Sequence, residues 1–313
     1  MADGGWHLRQ EEAVRGGVGE FGEKSAPGDM FCSCRRRSVS LNARPVGTNT
    51  TRDSGSPLVR GPRCAQRGVR EHMEILERLQ RIAEHGGVDF FGAADLALAQ
   101  EEVIRQGGDT VASWPRAISI GIRLMDDIVD QLPGRQCRHV AIDYRHHCYD
   151  VINSRLDDVA SRIGSELQRT GYCAYPVPAS KRVDDERICG VFSHKLAANL
   201  AGHGWIGKSC LLVTPEAGPR VRFATVLTDA PLETGTPMAV ACGECTECVD
   251  ACPVSAFTGR RFREDEPREA RYDARKCEAY LYGLERPGVP AVCGMCIHAC
   301  PHGKRGRPAA RHP

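Results

Sequence analysis

No stretch of this 313-residue chain strings together the ~18 apolar residues that a membrane-spanning helix needs. The N-terminus also lacks the apolar core of a secretory signal. One near miss is RRRSVSL, Arg35 to Leu41. It has twin arginines but runs on into the polar NARPVGTNTT, so export is not expected. An excess of one charge is missing too: 42 Lys and Arg stand against 40 Asp and Glu, a net +2. The small basic surplus sits in residues 1–72, which leaves a mildly acidic body. That excludes a basic nucleic-acid-binding domain. Apart from two cysteine runs near the C-terminus there is no internal repeat.

What the chain has in abundance is cysteine, 16 residues in all. Such a density belongs to secreted disulfide scaffolds only in short chains with an export signal. Without that signal, the expected setting is the cytoplasm, with thiolates used as metal ligands.

The first run is CGECTECVDACP, Cys242 to Pro253, spaced C-x2-C-x2-C-x3-C-P. This is the bacterial two-cluster [4Fe–4S] pattern, in which the fourth cysteine ligates the other cluster. The second run, CGMCIHACP at Cys293 to Pro301, has only three cysteines. The crossing rule gives cluster one Cys242, Cys245, Cys248 and Cys300. Cluster two takes Cys252, Cys293 and Cys296 and lacks a ligand. Cys277, in YDARKCEAYL, is the other cysteine between the runs and the expected eighth ligand. Paired CxxC alone would also suit zinc, but the longer spacing favours two cubanes. His298 is expected to donate a local hydrogen bond to sulfur. The isolated Cys137, Cys148, Cys173, Cys189 and Cys210 read as small buried residues. Cys32, Cys34 and Cys64 read as incidental.

Residues 1–72 carry no sustained apolar period and are expected to be a disordered leader, which the native product need not include. MEILERLQRIAEHGG opens a helix at Met73 with Ile75, Leu76, Leu79, Ile82 and Ala83 on one face. VDFFGAADL, AISIGIRL, SCLLVTP and RFATVLTD read as strands. DVINSRLDDVASRIGSELQRTGY is an amphipathic helix that ends before Gly171. SHKLAANLAGHG is a short helix capped by Ser193. The expected layout is an α/β (α+β) domain over 73–238, a ferredoxin-like module over 239–304 and a basic tail over 305–313.

The order SHKLAANLAGHGWIGKSCLLVTP, VLTD, CGECTECVDACP, DARKC, CGMCIHACP resembles the epoxyqueuosine reductase family, distant relatives of reductive dehalogenases. The resemblance implies a cobalamin-binding reductase domain ahead of two [4Fe–4S] clusters. It implies electrons from ferredoxin or flavodoxin, passed through the clusters to reduce cobalamin to Co(I), and a substrate in queuosine tRNA modification. GWIGK, Gly204, Trp205, Ile206, Gly207 and Lys208, is expected to line the cofactor pocket. By its residues alone the block reads sooner as a helix end followed by a core tryptophan.

The family's catalytic acid is an aspartate shortly before this helix. Here the region reads YPVPASKRVDDERICGVFSHK, and the candidates are Asp184, Asp185 and His194, with Lys195 beside them. Tyr144 and Tyr149 in DYRHHCYD match a family segment loosely, and His146 and His147 read as surface residues. Family members acting on tRNA continue further past the last cysteine, so the tRNA grip is expected to be weak and another substrate is open. The competing expectations are a non-catalytic two-cluster electron carrier and a corrinoid-reactivating accessory protein.

Overall fold

A hydrophobic stripe at Ile75, Leu79 and Ala83 and an unbroken alternation at Ala117–Ile122 set the architecture, and all of these residues are buried. The computed structural model describes residues 63–304. Its elements begin with α1 (Arg63–His85), β1 (Phe90–Asp95), α2 (Gln100–Gly107), α3 (Asp109–Ala112) and β2 (Arg116–Arg123). Then come α4 (Asp126–Val129), α5 (Arg138–Arg145), a π-helical turn at His146–Val151, α6 (Ile152–Arg169) and β3 (Ala174–Val177). Next are α7 (His194–Leu200), β4 (Trp205–Ile206), β5 (Leu212–Val213) and β6 (Val221–Thr228). The cysteine-rich part adds α8 (Glu247–Asp250), α9 (Ala274–Gly283) and α10 (Met295–Ala299).

Four strands form one sheet in the order β1-β2-β6-β3, and every pairing is antiparallel. The fold is therefore α+β, with no parallel βαβ crossover in this sheet. Strand side chains alternate between faces. Ile118, Ile120 and Ile122 of β2 point one way and join Ala224 and Val226 of β6. They meet the α6 stripe Ile152, Leu156, Val159, Ile163 and Leu167, and Ile75 and Leu79 of α1. Ala117, Leu227 and Val177 point the other way, onto Leu196, Ala197 and Leu200 of α7. Truncating one of these core residues, for example Leu156→Ala, costs ~2–5 kcal/mol.

Three details depart from the sequence reading. The first helix starts at Arg63, so 63–72 is helical rather than part of the leader, while 1–62 and the basic tail lie outside the described residues. SCLLVTP contributes a strand of only two residues. AYPV forms an edge strand that the sequence reading missed, with Pro176 tolerated because an edge strand has a free side. The described residues 63–304 fall within one compact unit.

The last segment is locked onto the sheet domain at close quarters. A Cβ on Gly218, whose φ is +56°, would meet the Gly303 nitrogen at 2.4 Å. Beside it Arg220, fully buried, is paired with Asp126 at 3.1 Å and Asp130 at 2.6 Å. Charge burial of this kind is tolerated only when the ions are paired.

Candidate active site and metal centre

The eight expected cysteines gather in two neighbouring groups. Burial pushes the Cys248 thiol up, and Cys242 and Cys245 push it further because thiolates repel one another. Cys300 is pushed up to about 12 by burial and by Cys248, Cys242 and Cys245. In the second group, burial raises Cys293, with Cys277 and Cys252 adding to it. Burial also raises Cys296, followed by Cys293 and Cys277, and Cys248 of the first group reaches it too. Among the described residues no three His, Cys, Asp or Glu side chains converge as they do around one ion.

Donors are aimed at these sulfurs, as a thiolate site requires. The Trp205 indole N–H points at Cys242 Sγ, 3.4 Å away, and the Ala256 amide at Cys252 Sγ, 3.3 Å away. Ser209 beside Cys248 works against the upward push of burial on that thiol, while burial first and then Cys277 push the Tyr272 hydroxyl up. Asp273 caps α9, its Oδ1 accepting from the Lys276 amide at 3.0 Å, and so fixes the turn that carries Cys277. His298 departs from expectation: its Nδ1 lies 3.3 Å from the Val129 carbonyl, not on a sulfur.

The hairpin β4–β5 separates the first thiol group from a large cavity. Trp205 is fully buried, packed with Val213 and Cys300 and edge-on to His302. Its neighbour Ile206 faces the opposite way and lines the cavity. The cavity holds about 1010 Å³ and is walled by α2, α7 and the segment around Phe262–Arg271. That volume lies at the upper end of small-molecule sites, ~300–1,000 Å³, and suits a bulky cofactor.

GWIGK is therefore only partly a pocket motif. Ile206 alone of the five lines the cavity. Gly204 is there for packing, since a Cβ would come within 2.1 Å of the Val213 carbonyl oxygen. Gly207 has Val213 at 2.9 Å and Cys242 Sγ at 3.5 Å from the same test position. Lys208 is buried. The corrin-facing role expected of Trp205 is overturned by its burial against Cys242.

The acid candidates also sort by place. Asp184 accepts from the Arg187 amide at 2.8 Å in a local turn, and the Asp185 side chain is 92% exposed. Neither lines the cavity. His194 does, but both ring nitrogens have protein partners: Nδ1 is 2.9 Å from Thr225 Oγ1 and Nε2 is 3.0 Å from the Pro178 carbonyl. A carbonyl only accepts, so Nε2 carries the hydrogen and Nδ1 takes the threonine hydroxyl. Burial holds this imidazole down at about 4, which leaves it neutral at neutral pH. Lys195 lines the cavity, donates to the Cys210 carbonyl at 2.9 Å, and is held below the usual lysine range by burial first.

Tyr144 is buried, and its hydroxyl has no partner among the described residues. Tyr149 lies under Arg222, 4.3 Å from guanidinium carbon to ring centre. The His147 Nε2 accepts from the Met125 amide at 3.1 Å, so His147 is a structural residue, while His146 is exposed. Of the isolated cysteines, Cys148 and Cys210 are buried as expected, but Cys137 and Cys173 are exposed. Sequence reasoning missed Arg268 and Arg271, which wall the cavity. Their position just before DARKC was the available signal.

Residues 241–303 match the family model of the 4Fe-4S double cluster binding domain. An epoxyqueuosine reductase of Pseudomonas aeruginosa is 26% identical over 253 residues, 77% of this chain and 64% of the relative. One from Gloeobacter violaceus is 36% identical over 135 residues, 39% of this chain and 40% of the relative. The chain thus spans less than two thirds of the length of these relatives. A solved reductive dehalogenase structure, described as suggesting a mechanism for B12-dependent dehalogenation, shares the fold. Its TM-score is 0.53 at 19% identity, over 73% of this chain and 32% of the other. No helix among the described residues is long and apolar enough to cross a membrane. The chain is similar in sequence to epoxyqueuosine reductases, has the fold of a reductive dehalogenase and carries a 4Fe-4S double cluster binding domain.

Proposed function

We propose that this chain is an iron–sulfur, cobalamin-dependent reductase of the epoxyqueuosine reductase type, acting in the cytoplasm. Cys242, Cys245, Cys248 and Cys300 hold one [4Fe–4S] cluster. Cys252, Cys277, Cys293 and Cys296 hold the other. The observation that carries this reading is the opposed facing of Trp205 and Ile206, which leaves one strand between a thiol group and a cavity of about 1010 Å³. An electron carrier needs no such chamber.

The residues fit a corrinoid. Ile206, Leu196, Leu200 and Pro237 offer apolar surface to a ring. Arg271 Nε is a buried donor without a hydrogen-bond partner among the described residues. Bound there, cobalamin supplies a strongly reducing cobalt centre for attack on the substrate. The chain's own share is to exclude water, to deliver electrons through the cysteine-held clusters and to place a proton. Lys195 Nζ is the group that holds that proton at the cavity wall, in place of Asp184, Asp185 and His194. Reduction of an epoxide to an alkene and water takes two electrons and two protons, and a low-potential donor such as ferredoxin or flavodoxin supplies the electrons.

The test uses anaerobic protein carrying iron and cobalamin, reduced flavodoxin and an epoxyqueuosine-containing RNA hairpin. Mass spectrometry is expected to find the nucleoside short of one oxygen. No conversion of the RNA, with cobalamin bound, would move the substrate elsewhere within the reductase reading. No conversion and no cobalamin binding would leave a two-cluster electron carrier.

A further inference from the structure

The fold handles its two most buried arginines in opposite ways. Arg220 is fully buried and is met by two carboxylates, Asp126 and Asp130. Arg271 is 5% exposed and is in no ion pair among the described residues. Its Nη1 reaches only Cys210 Sγ, at 3.8 Å, and its Cζ lies 4.7 Å from the centre of the Phe262 ring. Its Nε has no hydrogen-bond partner among the described residues. A buried guanidinium in this state carries a desolvation penalty that no protein anion offsets.

A second cation stands beside it. Lys195 Nζ donates to the carbonyl of Cys210, the same residue whose sulfur Arg271 touches. Both side chains line the cavity. Five acids line the cavity: Glu102 pairs with Arg105 at 2.8 Å, Asp265 with Arg263 at 2.7 Å and Glu266 with Arg260, while Glu101 and Glu264 are in no ion pair among the described residues. None of the five is paired with Arg271 or Lys195. Cys210 itself sits at φ +56°, a conformation that turns both its carbonyl and its sulfur to these cations.

We infer that Arg271 and Lys195 form an oxyanion subsite on the inner wall of the cavity, which takes a carboxylate or phosphate group of the molecule bound there. A planar guanidinium grips such groups through two parallel hydrogen bonds, and Nε is one of the donors in that fork. The inference deepens the proposed function and rests on reading the cavity as the reaction chamber. It limits the ligands: one end must be an oxyanion.

The test titrates the full chain, with its clusters assembled anaerobically, with sodium phosphate and with sodium benzoate. Ionic strength is held constant, chloride is the control, and calorimetry is the readout. Saturable binding of either anion to the wild type is expected, weakened at least ~10-fold by Arg271→Gln. Arg271→Lys should fall between them, since a point charge cannot bind in a fork. Arg162→Gln, altered on the exposed face of α6 and outside the cavity lining, should bind like the wild type. No saturable binding by the wild type, or equal binding by Arg271→Gln with its iron intact, overturns the subsite. If Arg271→Gln fails to assemble, the wild-type titration and Arg271→Lys still decide.

Cobalamin-loaded protein identifies the source of the oxyanion. Loss of anion binding on loading, together with weaker cobalamin uptake by Arg271→Gln, assigns it to the cofactor's phosphodiester. Anion binding that persists on loading assigns it to the substrate. Anion binding with no cobalamin uptake at all would sink the corrinoid reading of the cavity and leave the subsite standing.

Discussion

Trp205 and Ile206 are adjacent on one two-residue strand, and the indole nitrogen of the first lies 3.4 Å from Cys242 Sγ while the second lines the cavity. The period of two in an extended chain is what turns neighbouring side chains to opposite sides. A cysteine site and a ligand chamber therefore share a wall one residue thick. The predictions below follow from that wall and from the residues on either side of it.

Trp205→Phe keeps most of the ring and removes the N–H donor to Cys242. A hydrogen bond to a cluster sulfur favours the reduced, more negative state. The variant is expected to keep its iron and to show one cluster with a lower reduction potential. The shift should be on the order of tens of millivolts, matching a hydrogen bond of ~1 kcal/mol. A redox titration followed by EPR reads it, and an unchanged potential would contradict the contact.

Cys277→Ser removes the ligand that lies outside both cysteine runs. Iron should fall from about eight to about four per chain, with one cluster left. Cys148→Ser, at a buried cysteine outside both thiol groups, should keep about eight. Equal iron in both variants would remove Cys277 from the ligand set.

How much of this was legible in the sequence differs from residue to residue. The double-cluster domain could be read because ligand spacing is a local constraint, written in short loops and a proline. The α6 helix and strands β2 and β6 could be read because their apolar periods are long and unbroken. Trp205 was misread as a ring for the cofactor. Nothing local tells which side of a two-residue strand faces a cavity, since that is fixed by Cys242, far along the chain. Arg271 was missed for a related reason. A lone arginine in a charged stretch looks solvated until tertiary packing buries it beside Phe262 and Cys210. The helix start at Arg63 was missed because residues 63–72 have too few apolar residues to mark a face.

His194 ties folding to pH. Burial depresses its folded-state pKa from 6.5 to about 4, so the unfolded chain binds the extra proton first. The stability it contributes is complete above pH 6.5 and is lost as pH falls from there toward about 4. The full loss is at most about 3 kcal/mol. Denaturant unfolding of wild type and His194→Asn at pH 7 and pH 5 checks it. The variant should be less stable at pH 7 and should lose less on acidification. Parallel losses would show that the histidine is not the titrating group.

Lys195 is expected to act as a proton donor. Lys195→Met should lower turnover per bound cobalamin ~10²–10⁴-fold with both clusters retained. In the wild type the rate should fall as pH rises through a lysine pKa held below 10.5 by burial. The acid form is present below that pKa and lost above it. That alkaline limb should vanish in the variant, while a merely structural role would leave the profile's shape unchanged.

The central claim is that one strand divides two cofactors, and metal counting tests it most directly. The protein is assembled anaerobically with cobalamin supplied, and iron and cobalt are measured per chain for the wild type and Ile206→Trp. The wild type should hold about eight irons, four per cluster, and about one cobalt. The variant, with the indole projecting into the chamber from its thiol-side wall, should keep its iron and hold less cobalt. Full iron with no cobalt in the wild type, or equal cobalt in both proteins, would contradict the account.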